Sequence, residues 1–199
     1  MRAHFFHAPG SIGVAMAMMA LAGCASHVAP QPAPSSGSSI YTLDGSWQTD
    51  TGGTLRLADL RGHPRVIAMF FTACEGTCSL TVEHLRRIEA SLPVDLRSEV
   101  RFVLVSLDPV RDTPAALAKF RSEKQLASDR WLLLRGDPAP TADLATALKV
   151  QYAKDPARRI RHASRITVLD DAGRIILQQT GTRPDLSATI DALAAAATK

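Results

Sequence analysis

Val66-Ile67-Ala68-Met69-Phe70-Phe71-Thr72-Ala73-Cys74-Glu75-Gly76-Thr77-Cys78 is the stretch on which the fold of this chain turns. Its first six residues are all apolar, as expected of a strand covered on both faces of a sheet. From Leu80 onward, apolar residues fall at Leu85, Ile88 and Leu92, a helical spacing closed by Pro93. Two thiols therefore lie between a buried strand and the start of a helix, with three residues separating them. If the helix begins inside the motif, Cys74 and Cys78 stand at i and i+4 and share a face. A helix N-terminus carries partial positive charge, which favours thiolate, and Gly76 allows the backbone a sharp turn. Thiolates are soft donors, and two at this spacing suit Cu(I). Other uses stay open. A disulfide over so short a loop gains little from loop closure. A redox dithiol is also conceivable, although thioredoxin-type enzymes place two residues between their cysteines rather than three.

Outward from this stretch, strands alternate with helices. Thr54 to Leu57 is a short strand signal, and Val100 to Leu107 (VRFVLVSL) reads as a second buried strand. Thr113-Pro114 opens a helix, with Thr at the cap and Pro at the first helical position; its apolar face includes Leu117 and Phe120. Trp131 to Leu134 reads as a third strand and Thr141 to Leu148 as a helix. Arg165 to Leu169 and Ile175 to Gln179 flank Asp171-Ala172-Gly173, a hairpin signal. Leu186 to Ala197 closes the chain as a helix. This order predicts an α/β fold with a central mixed sheet flanked by helices. A terminal hairpin followed by a helix is the plan of a thioredoxin-like domain. The sequence contains no internal repeat.

The chain has 199 residues, of which 46% are hydrophobic and 21% charged, as in one ordinary globular domain with appendages. Its net charge of +4 is spread out, and the densest basic cluster is Arg158, Arg159 and Arg161. A solvated loop accounts for that cluster better than a nucleic-acid face, which carries denser charge interleaved with aromatic residues. Residues 1–23 read as a targeting signal: Arg2, His4 and His7 precede an apolar stretch from Ile12 to Ala22. That stretch is shorter than the roughly 20 residues of a membrane span. It ends in Leu21-Ala22-Gly23-Cys24, which resembles the lipobox of bacterial lipoprotein signals. The resemblance implies cleavage before Cys24 and attachment of diacylglycerol to its sulfur. Residues 24–39 then form the lipidated cysteine and a flexible Pro- and Ser-rich tether, and residues 40–199 the folded domain. The expected location is a bacterial cell envelope, with the domain held to a membrane by lipid outside the cytoplasm. In such an oxidising setting Cys74 and Cys78 either pair or hold a metal.

TACEGTCSLT after an apolar strand, VSLDPVRDTP about thirty residues on, and a histidine before a strand and D-G-type turn together resemble the Sco/SenC family of copper-binding, thioredoxin-like proteins. The resemblance runs from about Tyr41 to Ala195. Its most specific part is Asp108-Pro109-Val110-Arg111-Asp112-Thr113-Pro114 combined with the cysteine spacing. In that family both motif cysteines and one downstream histidine hold Cu(I) or Cu(II). They deliver it to the CuA centre of cytochrome c oxidase or act as a thiol reductant of that centre. The resemblance assigns the metal ligands here to Cys74, Cys78 and His162. Glu75 and Ser79 stand where the family usually has prolines, and Arg161 and Ala163 flank His162 in place of the usual Asp and Ser. His27, His63 and His84 are weaker candidates. Asp108 and Arg111 are expected to shape the loop near the metal, or Arg111 to pair with Asp112. The expected partner is the cytochrome c oxidase subunit carrying CuA, or another exported copper protein. The alternative function is that of a thiol-disulfide oxidoreductase acting on such a partner.

Overall fold

The apolar run does build the centre of a sheet: every residue of β3 (Arg65–Phe70) is buried. The computed structural model describes residues 39–74, 77–154, 160–181 and 183–197. The targeting signal, Cys24 and all of the tether except Ser39 lie outside them. In chain order the elements are β1 (Trp47–Thr49), β2 (Thr54–Leu55), β3, α1 (Thr77–Ser91), α2 (Val94–Glu99), β4 (Arg101–Ser106) and α3 (Pro114–Glu123). They continue with β5 (Trp131–Gly136), α4 (Pro138–Ala147), β6 (Tyr152–Lys154), β7 (Ile160–His162), β8 (Arg165–Leu169), β9 (Ile175–Thr180) and α5 (Leu186–Ala197).

Seven strands form one mixed sheet in the order β2-β1-β5-β4-β3-β8-β9, and β6 pairs with β7 in a separate two-stranded ribbon. β3, β4 and β5 run parallel, while β8 lies antiparallel to β3. Helical crossovers are what parallel neighbours require, and here α1 with α2 joins β3 to β4 while α3 joins β4 to β5. α1 and α5 pack against each other and over β3 and β8, whereas α3 and α4 pack on β5. The predicted mixed sheet with flanking helices is therefore the observed one.

Aromatic pairs fill the interior. Phe102 stacks on Trp131 at 4.7 Å across the β4–β5 register, and Phe70 meets Phe120 of α3 at 4.9 Å. Thr113 caps α3 as expected, its side chain accepting from the Ala116 amide. Trp47 is fully buried, and Gly136 lies opposite it in register. A Cβ on Gly136 would come within 2.7 Å of the Trp47 ring, so glycine is what lets that indole in.

Ser39 is the first described residue. Its side chain accepts from the Tyr41 amide and its hydroxyl donates to the Ala172 carbonyl, while the Ile40 amide donates to Gly173. The first residues are thereby tied to the β8–β9 turn. Gly173 takes a φ of +80° there, which only glycine adopts easily.

Three strands, β1, β6 and β7, and one helix, α2, have no counterpart in the sequence reading. β1 is three residues with only Trp47 as an apolar signal, and α2 is a six-residue turn behind Pro93. His162, expected in a loop before β8, instead ends β7, directly opposite Tyr152 of β6.

Candidate metal centre

Strand direction explains how residues far apart in sequence meet. β3 runs towards the cysteines. β4 runs beside it in the same sense, with Phe70 opposite Ser106, so the loop from Leu107 to Thr113 emerges at the same end. β8 runs the other way, with Ala68 opposite Ile166, so the residues just before β8 start from that end too. One pole of the sheet therefore collects Phe71 to Cys74, Leu107 to Thr113, and His162 to Ser164. The Leu107 amide donating to the Phe70 carbonyl at 2.7 Å continues the pairing past the strand ends.

After Phe70 the chain turns. Phe71 is buried, and the Cys74 amide donates to the Phe71 carbonyl at 3.3 Å. Cys74 is half-buried and packs on the edge of the hydrophobic core. α1 begins at Thr77, between the two cysteines, so Cys78 lies in its first turn while Cys74 precedes the helix and is not held at i, i+4 on one of its faces. Glu75, Gly76 and the Cys78 side chain lie outside the described parts. Among the described residues, no three His, Cys, Asp or Glu side chains gather as a metal cage, and Cys78 is not among those side chains.

His162 is half-buried and stands edge-on to Phe71, with ring centroids 5.8 Å apart at 71°. The ring that the motif's own phenylalanine contacts is thus the ring that the resemblance names. Burial holds the imidazole pKa below its usual value, partly offset by a hydrogen bond at the Ala163 carbonyl. His162 Nδ1 lies 3.2 Å from that carbonyl oxygen, which can only accept, so Nδ1 carries the proton in this contact. In the neutral ring the lone pair then lies on Nε2, the form in which imidazole ligates a metal. A backbone carbonyl is one of the usual partners that fix the tautomer of a ligand histidine. It can fill the role for which the residues beside His162 supply no carboxylate. The ring borders an open hollow with Gln151, Tyr152, Ala153 and Ala163.

A second tie joins the histidine segment to the cysteine helix. Thr81, one turn into α1, and Ser164, two residues after His162, are both buried, with their hydroxyl oxygens 2.8 Å apart. Arg111 pairs with Asp108, not with Asp112 as one of the two expectations had it. The reason is geometric. The Asp112 carboxylate turns inward, where it accepts from the Thr72 amide, the Thr72 hydroxyl and the Ser106 hydroxyl. Sequence reasoning assigned no role to Thr72 or Ser106.

The other described histidines do not join this pole. His63 lies 3.8 Å from Glu99, and His84 borders a separate groove with Leu80, Arg87 and Arg183. His27 lies outside the described residues.

A family model described as SCO1/SenC matches residues 39–197. The SCO1 protein homolog of Bacillus subtilis is 30% identical over 91 residues, covering 46% of this chain and 47% of that protein. The chain spans from under a third to under two thirds of the length of the curated relatives it matches. Among solved structures, a SCO1/SenC family lipoprotein from Bacillus anthracis superposes with a TM-score of 0.71 at 19% identity, covering 79% of this chain and 96% of that one. Bradyrhizobium japonicum ScoI with copper bound gives 0.63 at 22%, covering 76% and 96%. BsSco, described with a disulfide switch and as a member of the Sco family of cytochrome c oxidase assembly proteins, gives 0.68 at 23%, covering 79% and 94%. At these identities the superpositions establish a common fold.

Proposed function

We propose that this chain, which belongs to the SCO1/SenC family, binds copper on Cys74, Cys78 and His162 and hands it to an exported or membrane-bound copper protein. The observation that carries this reading is the His162 ring seated against Phe71, with Nδ1 engaged by a carbonyl, at the same pole as Cys74. Two thiolates and one imidazole suit copper in either oxidation state. They are one donor short of the four that structural zinc takes. The ScoI of Bradyrhizobium japonicum, which shares the fold, was solved with copper bound, and this supports the choice of metal. The acceptor that best fits the family is the CuA site of cytochrome c oxidase.

The reduced protein is expected to take up one equivalent of Cu(I), with X-ray absorption reporting two sulfur donors and one nitrogen donor. Failure to bind at one equivalent, or full binding by Cys74→Ala, would refute the proposal. A second reading, thiol-disulfide exchange on a partner's copper site, draws support from the helix start between the two cysteines. BsSco's disulfide switch lends it further support.

The anchoring scheme is part of the same proposal: residues 1–23 are removed, Cys24 carries lipid, and residues 24–39 tether a domain of residues 40–199 in the bacterial envelope. No helix among the described residues is long and apolar enough to cross a membrane. Two or three acyl chains hold a protein at a bilayer firmly. Incorporation of a clickable fatty acid that disappears in Cys24→Ala is the expected result; equal labelling of the variant would reject the lipid site.

A further inference from the structure

Asp112 is 1% exposed, and among the described residues it has no cationic partner, since Arg111 is engaged with Asp108. A buried carboxylate without a cation has to be satisfied by hydrogen-bond donors. Three groups supply them. The Thr72 amide lies 3.2 and 3.3 Å from the two carboxylate oxygens, the Thr72 hydroxyl 2.5 Å from Oδ1, and the Ser106 hydroxyl 2.5 Å from Oδ2. Hydrogen bonds to an ionised acceptor are about twice as strong as neutral ones. The carboxylate is itself held from behind. The Asp112 amide donates to the Asp108 carbonyl at 2.9 Å, the Asp108 amide donates to Ser106 Oγ at 2.9 Å, and Thr113 caps α3.

Two of the three donor groups belong to a single residue, Thr72, and its position makes that notable. Thr72 follows the phenylalanine that contacts His162 and precedes Cys74 by two residues. The turn that places Cys74 is therefore pinned from the β4–α3 loop, forty residues further along the chain.

We propose that Asp112 is a positioning residue for the thiol site. By holding Thr72 it fixes Cys74 relative to His162, and so sets both the copper affinity and the balance between dithiol and disulfide. This rests on the copper reading for the affinity, but not for the thiol balance, which exists without metal. Ligand sets lose function when held about 0.5 Å out of place, and supporting groups of this kind change metal affinity by roughly 10- to 100-fold.

The test compares Asp112→Asn, Thr72→Val and Ser106→Ala in the full chain. It measures Cu(II) affinity by chelator competition, the Cys74–Cys78 reduction potential of the metal-free protein, and stability in urea. Asn keeps one carbonyl oxygen but loses the charge and turns an NH2 group towards hydroxyl and amide donors. The expected result is a fall of about tenfold or more in copper affinity for Asp112→Asn and Thr72→Val. The thiol-disulfide equilibrium constant should move with it by about tenfold, equivalent to about 30 mV. Ser106→Ala removes a donor from the same carboxylate without touching Thr72. It should lower stability while leaving affinity and potential within about twofold of the parent chain. Should Asp112→Asn fail to fold, Thr72→Val decides alone. Parental affinity and potential in the Thr72 and Asp112 variants, whatever their stability, would make Asp112 a purely structural acid and overturn the proposal. Absence of copper binding by the parent chain would instead refute the copper reading, and the reduction potentials would still decide the role of Asp112.

Discussion

His162→Ala is expected to lower Cu(II) affinity by at least about a hundredfold, the upper end of what losing even a supporting group costs a metal site. Cu(I) affinity should fall much less. Soft thiolates suffice for Cu(I), whereas Cu(II) draws on the imidazole. The fold should tolerate the change, because the ring sits half-buried on the two-stranded ribbon outside the main sheet. The variant also separates the two functional readings. A metal carrier loses copper delivery along with Cu(II) binding. A thiol-disulfide oxidoreductase keeps both its function and its Cys74–Cys78 potential, since imidazole takes no part in the thiol couple. Chelator competition for each oxidation state, with a parallel measurement of the dithiol potential, reads the outcome. Unchanged Cu(II) affinity would remove His162 from the ligand set.

Arg121→Ala is expected to destabilise the fold by about 3–5 kcal/mol, the cost of leaving a buried charge without its partner. Asp50 is buried, its side chain 2% exposed, and Arg121 grips both its oxygens while also donating to the carbonyls of Leu126 and Trp131. The guanidinium thus joins the turn after β1, the loop after α3 and the start of β5. With Arg121 gone, the buried Asp50 carboxylate loses both of its guanidinium hydrogen bonds, and the Leu126 and Trp131 carbonyls lose their donor as well. Replacing both partners together, Asp50→Asn with Arg121→Met, should cost distinctly less, because no buried charge is left behind. Urea unfolding with an unchanged m-value is the measurement. A loss below about 1 kcal/mol for the single variant would show that the pair is screened like a surface ion pair.

Legibility followed the range of the interaction. VIAMFF and VRFVLVSL announce buried strands because both faces of each are covered, so no alternation is needed to recognise them. Thr113-Pro114 and Asp171-Ala172-Gly173 work through local backbone preferences, which neighbours in sequence carry in full. β6 and β7 escape because each has three residues and neither stabilises itself; only their mutual pairing makes them strands. The cysteines were readable from their spacing, whereas His162 was reachable only through family resemblance. Its partner Phe71 is ninety-one residues away, and their meeting depends on β8 running antiparallel to β3. Asp112 was quoted within a motif, but its grip on Thr72 depends on the β3–β4 register, which composition does not encode.

The bond from Ser39 to the β8–β9 turn has an architectural consequence. Arg65 lies opposite Leu169, so that turn sits at the end of β3 away from the cysteines. Six strand residues at about 3.3 Å each separate the two ends by roughly 20 Å. Ser39 thus lies at the base of the domain, and the Cys74 pole crowns it. A label attached at Ser39 would therefore report on the base of the domain without obstructing the Cys74 pole.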